Sequence, residues 1–164
     1  MKSLFHSLDS ILSLITKPII VVIGIFIALG FVVGIVSRSI IGESIFGLEE
    51  LILLSVIWFY MLGASLASQE RSHLQGDFLP LLIKNAKAVK FFQLLTTLIS
   101  IAMACLFFSW SYDLLMWGIN KKQSTPVFAI PWYTSQASLL VCATLMIVYL
   151  LRDLVRDVIS LWSE

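Results

Sequence analysis

Leu51 to Gln69 reads LILLSVIWFYMLGASLASQ, an unbroken stretch without Asp, Glu, Lys, Arg or His. An α-helix rises about 1.5 Å per residue and the hydrocarbon core of a bilayer is about 30 Å thick, so a run of this length reads as a membrane crossing. Outward from it, Pro18 to Ser37, Phe91 to Tyr112 and Gln123 to Leu151 lack the same five residue types. The charged residues and both histidines lie between or beyond the four runs. The expected fold is all-α: a single membrane domain over 1–164 with four transmembrane helices near 18–37, 51–69, 91–112 and 127–151.

Composition agrees. The chain is 59% hydrophobic and 13% charged, with a mean hydropathy of +0.98, whereas soluble domains are about 25% charged. Four spans with short connections consume nearly all 164 residues, which leaves no room for a soluble domain. A net charge of +1 argues against a nucleic-acid role. The first run is longer than the 7–15 residues typical of a cleaved signal and starts only after Lys17, so it is expected to be retained. Cys105 and Cys142 form no CxxC or Cys/His cluster. Neither a metal site nor a redox motif is indicated, and no cofactor is expected.

Two segments outside the spans have the pattern of amphipathic helices on the membrane surface. In 3–16, Leu4, Leu8, Ile11, Leu12 and Ile15 recur at spacings of three and four. Pro18, tolerated in a first helical turn, then leads into the first span. In 74–90, Leu74, Phe78, Leu81, Leu82 and Val89 form an apolar stripe, while Lys84, Lys87 and Lys90 repeat every three residues among lipid headgroups. An ordinary solvated loop is the alternative for this second segment.

Basic residues set the orientation. Lys2, Lys17, Arg71, Lys84, Lys87, Lys90, Arg152 and Arg156 fall on the side of the termini; Arg38, Lys121 and Lys122 fall on the other. By the positive-inside rule both termini are expected to be cytoplasmic. Trp110, Tyr112, Trp117, Trp132 and Tyr133 then mark the outer interface, with Trp110 and Trp132 the clearest lipid-interface anchors.

Several residues are candidates for contact with other helices or subunits. Gly30 and Gly34 form a GxxxG in the first span, and Gly63 and Ala64 stand four residues before Ala67 and Ser68 in the second. Small residues allow close helix approach where no hydrophobic force drives association in lipid. Packing within this chain and docking to another subunit are both open. Glu43, Glu49 and Glu50 gather at the outer entrance of the second span, where carboxylates suit a helix N-terminus or an ion pair with a partner. His73 and Asp77 stand i, i+4, a spacing that suits a structural hydrogen bond better than a metal or proton site. With Glu50, Asp113 and Arg38 all at span edges, the membrane interior is expected to hold no buried titratable group. No central helix break suggests a substrate site. The chain is therefore expected to be an accessory subunit rather than a lone carrier or an enzyme. The rivals are a small exporter acting as a homo-oligomer and a four-helix membrane enzyme, of which quinone-linked thiol oxidases would need paired cysteines at a membrane face.

Glu49-Glu50, Trp58, Leu62-Gly63-Ala64, then His73 and Asp77, resemble the small (DctQ-like) membrane subunit of tripartite ATP-independent periplasmic (TRAP) transporters. Thr125-Pro126 through Ile130-Pro131-Trp132 looks like the loop entering that family's fourth helix, and Arg38 matches a common basic position. The resemblance covers essentially the whole chain. It implies a four-helix subunit of the bacterial inner membrane that braces a large, multi-helix subunit moving substrate and sodium by an elevator-type motion. A periplasmic binding protein would deliver an organic acid such as a dicarboxylate, a sugar acid or sialic acid. On this reading Arg38, Glu49, Glu50, Trp58, Gly63, Ala64, His73 and Asp77 dock the large subunit, and Lys121 and Lys122 touch the binding protein.

Overall fold

The computed structural model describes residues 2–69 and 86–162, with side chains placed over 12–69 and 89–159. Four helices make up almost all of it: α1 Lys2–Ile40, α2 Leu48–Gln69, α3 Ala86–Lys121 and α4 Tyr133–Trp162. Each contains a stretch long and apolar enough to cross a membrane: Leu12–Ile40, Leu48–Gln69, Val89–Lys121 and Tyr133–Ile159.

The helices outrun the charge-free segments that announce them. At about 1.5 Å per residue, the 39 residues of α1 and the 36 of α3 are far longer than a hydrocarbon core about 30 Å thick. The expected surface segment at 3–16 continues straight into the first span: α1 passes through Pro18 unbroken. Pro18 lacks the N–H that would bond back one turn, yet the ladder on either side is long enough to carry the helix across the gap. Of the expected segment at 74–90, residues 86–90 belong to α3; the remainder lies outside the described residues.

The connection from α1 to α2 turns within seven residues, 41–47. Gly42 and Gly47 both have φ near +79°, a left-handed conformation that glycine adopts without steric cost. Gly47 also has no room for a side chain, because a Cβ there would overlap the ring of Phe128. Arg38 in the last turn of α1, and Glu49 and Glu50 in the first turn of α2, each complement the partial charge of their helix end. Between α3 and α4, Lys122 and Ala129 take left-handed φ values of 50° and 51°. The Thr125 N–H donates to the Ile130 carbonyl at 2.9 Å, and the Trp132 N–H donates to the Gln123 carbonyl at 2.9 Å. These bonds close a compact loop around a single bridge between Ser124 and Pro131.

The helices run alternately up and down and pack chiefly as neighbours in the order α1, α2, α4, α3. This is an open row instead of a closed bundle. α4 sits between α2 and α3, and 39% of its spanning window is buried against 6% for α1. Its core residues are Cys142, Ala143, Tyr149 and Leu150. Facing them, α2 buries Ser65 and Ser68 while α3 buries Thr97, Ala104 and Ser111. Such small and hydroxyl side chains let helices approach closely where lipid supplies no hydrophobic drive. α1 instead presents Val21, Val22, Ile25, Leu29, Val32 and Ile35 outward.

Candidate docking faces and polar clusters

Where α1 meets α2, glycine sets the distance between backbones. A Cβ on Gly30 would stand 3.0 Å from Ile52 Cγ1, one on Gly24 3.1 Å from the Phe59 ring, and one on Gly34 3.5 Å from Leu48 Cδ2. The α1 glycines therefore receive the larger side chains of α2 from this same chain. Gly63 differs: among the described residues nothing lies within 4 Å of its Cβ position, so none of the described side chains fills the notch that α2 has there. Trp58 and Ala64 are half-buried on the same helix.

Beside the α1–α2 seam an apolar groove of about 410 Å³ opens toward the end of the molecule that carries the two connecting loops. Gly30, Gly34, Ile45, Leu48, Ile52 and Val56 line it, and Arg38 and Glu49 stand at its rim. Arg38 donates from its guanidinium to the Glu49 carboxylate, and both side chains remain mostly exposed. Arg38 thus pairs within this chain.

Glu50 points across to the other loop. One carboxylate oxygen accepts the Val127 N–H at 2.8 Å and the other accepts the Phe128 N–H at 3.1 Å. The Thr125 side chain also hydrogen-bonds this carboxylate, while Thr125 Oγ1 accepts the Ile130 N–H at 3.0 Å. Glu50 thus ties the α3–α4 loop to the start of α2, and Phe128 closes over Gly47. Lys121 and Lys122, at the start of the same loop, are exposed. Trp110 is exposed on α3, Trp132 is half-buried just before α4, and Lys90 is half-buried near the start of α3. Lys87 belongs to α3; His73, Asp77 and Lys84 lie outside the described residues.

At the opposite end, the structure corrects the expectation of an interior free of titratable groups. The apolar pattern of α4 does not stop at Leu151. It continues to Trp162 and buries Arg152, Asp153 and Asp157 at 5%, 0% and 8% exposure. Arg152 Nε donates to Asp153 Oδ1 at 2.9 Å, and its terminal nitrogen donates to the Gln69 carbonyl of α2 at 2.9 Å. The guanidinium carbon lies 5.5 Å from the centroid of the Tyr149 ring, a cation–π distance. Arg156 approaches Asp153 at 4.0 Å, and Thr97 of α3 donates to Asp157 at 2.8 Å. The sequence does carry a signal for this cluster. Ser138, Cys142, Tyr149, Asp153 and Asp157 keep helical spacing, so the acids fall in phase with the core rather than with a solvated tail.

Among the described residues, no group of three or more His, Cys, Asp or Glu side chains is placed to hold a metal ion. Cys105 is exposed and Cys142 buried, and both are thiols.

The family model for tripartite ATP-independent periplasmic transporters, DctQ component, matches residues 11–159. No curated protein matches the chain.

Proposed function

The chain belongs to the DctQ family of tripartite ATP-independent periplasmic transporters, and we propose that it braces the large membrane subunit of such a transporter while that subunit carries the cargo. As a family member it is the small, multi-pass membrane subunit of a transport system, and the family is a transporter component rather than an enzyme family. A tripartite system implies two partners, a large membrane subunit and a periplasmic binding protein.

The single observation that carries the bracing role is the open row of helices. A carrier encloses a polar site near the membrane midplane between broken helices. Here the four spanning helices are continuous, and one outer helix packs mainly on α2. The groove beside that helix and the unfilled notch at Gly63 suit helices of another chain, where close van der Waals packing is the available source of association.

The cargo on this reading is an organic acid, such as a dicarboxylate, a sugar acid or sialic acid, imported with sodium by the large subunit. The location is the bacterial inner membrane with both termini cytoplasmic, as the distribution of lysine and arginine favours. Trp58, Gly63, Ala64, His73 and Asp77 belong to the docking region, with Arg38 and Glu49 at its outer rim. Glu50 contributes by fixing the loop that presents Lys121 and Lys122 to the periplasmic binding protein. Lys84, Lys87 and Lys90 contact lipid headgroups. The test is co-purification of this chain with its large subunit, followed by uptake in proteoliposomes. Filling the notch with Gly63→Leu is expected to weaken both; intact association and uptake would remove the docking assignment.

A further inference from the structure

We propose that the groove along the α1–α2 seam holds one tail of a phospholipid whose headgroup joins a phosphate to a primary ammonium, with Arg38 on the phosphate and Glu49 on the ammonium. The groove has a volume of about 410 Å³, and apart from Arg38, Ser44 and Glu49 its lining is apolar. All three polar residues lie at one end: Arg38 in the last turn of α1, Glu49 in the first turn of α2, and Ser44 in the connection between them. From Arg38 down to Gly30 is about 12 Å along α1, and from Glu49 to Val56 about 10 Å along α2. One leaflet of hydrocarbon is about 15 Å deep. Further along the seam the helices close, where the Phe59 ring stands 3.1 Å from the Cβ position of Gly24. The recess therefore runs from headgroup level to near the depth that a tail of the same leaflet reaches.

The rim offers charge of both signs. A guanidinium carries several N–H donors, and the bond of Arg38 to Glu49 engages one terminal nitrogen and one carboxylate oxygen. The two side chains are 62% and 73% exposed, so the guanidinium can also bind a phosphate and the carboxylate can accept from an ammonium. Arg38 alone would suit any phosphate. Glu49 beside it repels a headgroup of net negative charge and favours one that carries its own cation. Leu53, on the groove wall, is 48% exposed, so the recess opens sideways to lipid. This occupant goes beyond the bracing role: its tail lies within the recess, beneath any helix of another chain that packs along this face.

The test is native mass spectrometry of the full-length chain, alone and co-purified with its large subunit. The detergent is supplemented with equal amounts of phosphatidylethanolamine and phosphatidylglycerol bearing the same tails. The parent is expected to retain phosphatidylethanolamine in preference to phosphatidylglycerol. Arg38→Gln should lower retention of both lipids at least about fivefold. Glu49→Gln should leave phosphatidylethanolamine bound and raise phosphatidylglycerol to the same level. Leu53→Trp should fill the recess and displace both. Arg38 and Glu49 are exposed, so their variants should keep the parent melting temperature; if Leu53→Trp fails to fold, they carry the comparison. Equal retention of the two lipids by the parent, or retention unchanged in Arg38→Gln and Leu53→Trp, means adventitious lipid only and overturns the proposal. Lipid held by the chain alone but lost in the complex assigns the groove to a helix of the large subunit and also overturns it. Co-purification of the large subunit reports the bracing role independently, so the two readings fail separately.

Discussion

Glu50 and Val127 are 77 positions apart, yet the carboxylate of the first accepts the backbone N–H of the second at 2.8 Å. With Phe128 and Thr125 bound to the same group, one side chain at the start of α2 organises the loop that precedes α4. Glu50→Ala leaves two backbone donors without this acceptor and is expected to lower the melting temperature. Glu50→Gln keeps one oxygen and should lose roughly half as much. Thermal melting in detergent checks the ranking, and equal stability of all three proteins would contradict it.

Gly47 is constrained twice, by a φ near +79° and by the Phe128 ring over it. Gly47→Ala meets both constraints and should destabilise by about 1–3 kcal/mol. Gly42 shares the φ but has nothing within 4 Å, so Gly42→Ala should show only the backbone part, about 1 kcal/mol. Melting curves of the two variants compared side by side test this difference.

Gly30 and Gly63 separate packing within the chain from packing against others. Gly30→Leu forces a side chain into Ile52 and should push α1 away from α2, which a disulfide or crosslink between the two helices would report as reduced yield. Gly63→Leu meets none of the described side chains. It should leave the melting temperature of the isolated chain within about 2 °C of the parent, while lowering co-purification with the large subunit several-fold.

The ion pair of Arg38 with Glu49 is largely exposed at the groove rim. Exposed pairs contribute roughly 0–1 kcal/mol, so Arg38→Ala and Glu49→Ala should each change stability little. Any larger effect on assembly than on melting would show that these groups work at a contact with another subunit.

Much of the fold is legible in the sequence because lipid demands it. The absence of charge over Pro18–Ser37, Leu51–Gln69, Phe91–Tyr112 and Gln123–Leu151 announces all four helices. Their ends are less legible, since a charge stops a hydropathy run but does not stop a helix. Lys17 precedes Pro18 within one continuous α1, and Arg152 follows Leu151 within one continuous α4. The row order is not legible either. Nothing local in α2 says that it prefers α4 to α3, because that choice rests on matching small surfaces such as Ser65 and Ser68 against distant residues. Glu50 was identifiable as a residue of consequence from its place beside an apolar run, but its partners are backbone N–H groups, which carry no sequence signature. Arg152 and Asp153 look like a solvated tail until the helical phase is carried past Leu151.

Transport in proteoliposomes tests the bracing role most directly. Vesicles containing only this chain should take up no organic acid in a sodium gradient with a binding protein present, while vesicles that also contain the large subunit should do so. Uptake by this chain alone would contradict the account.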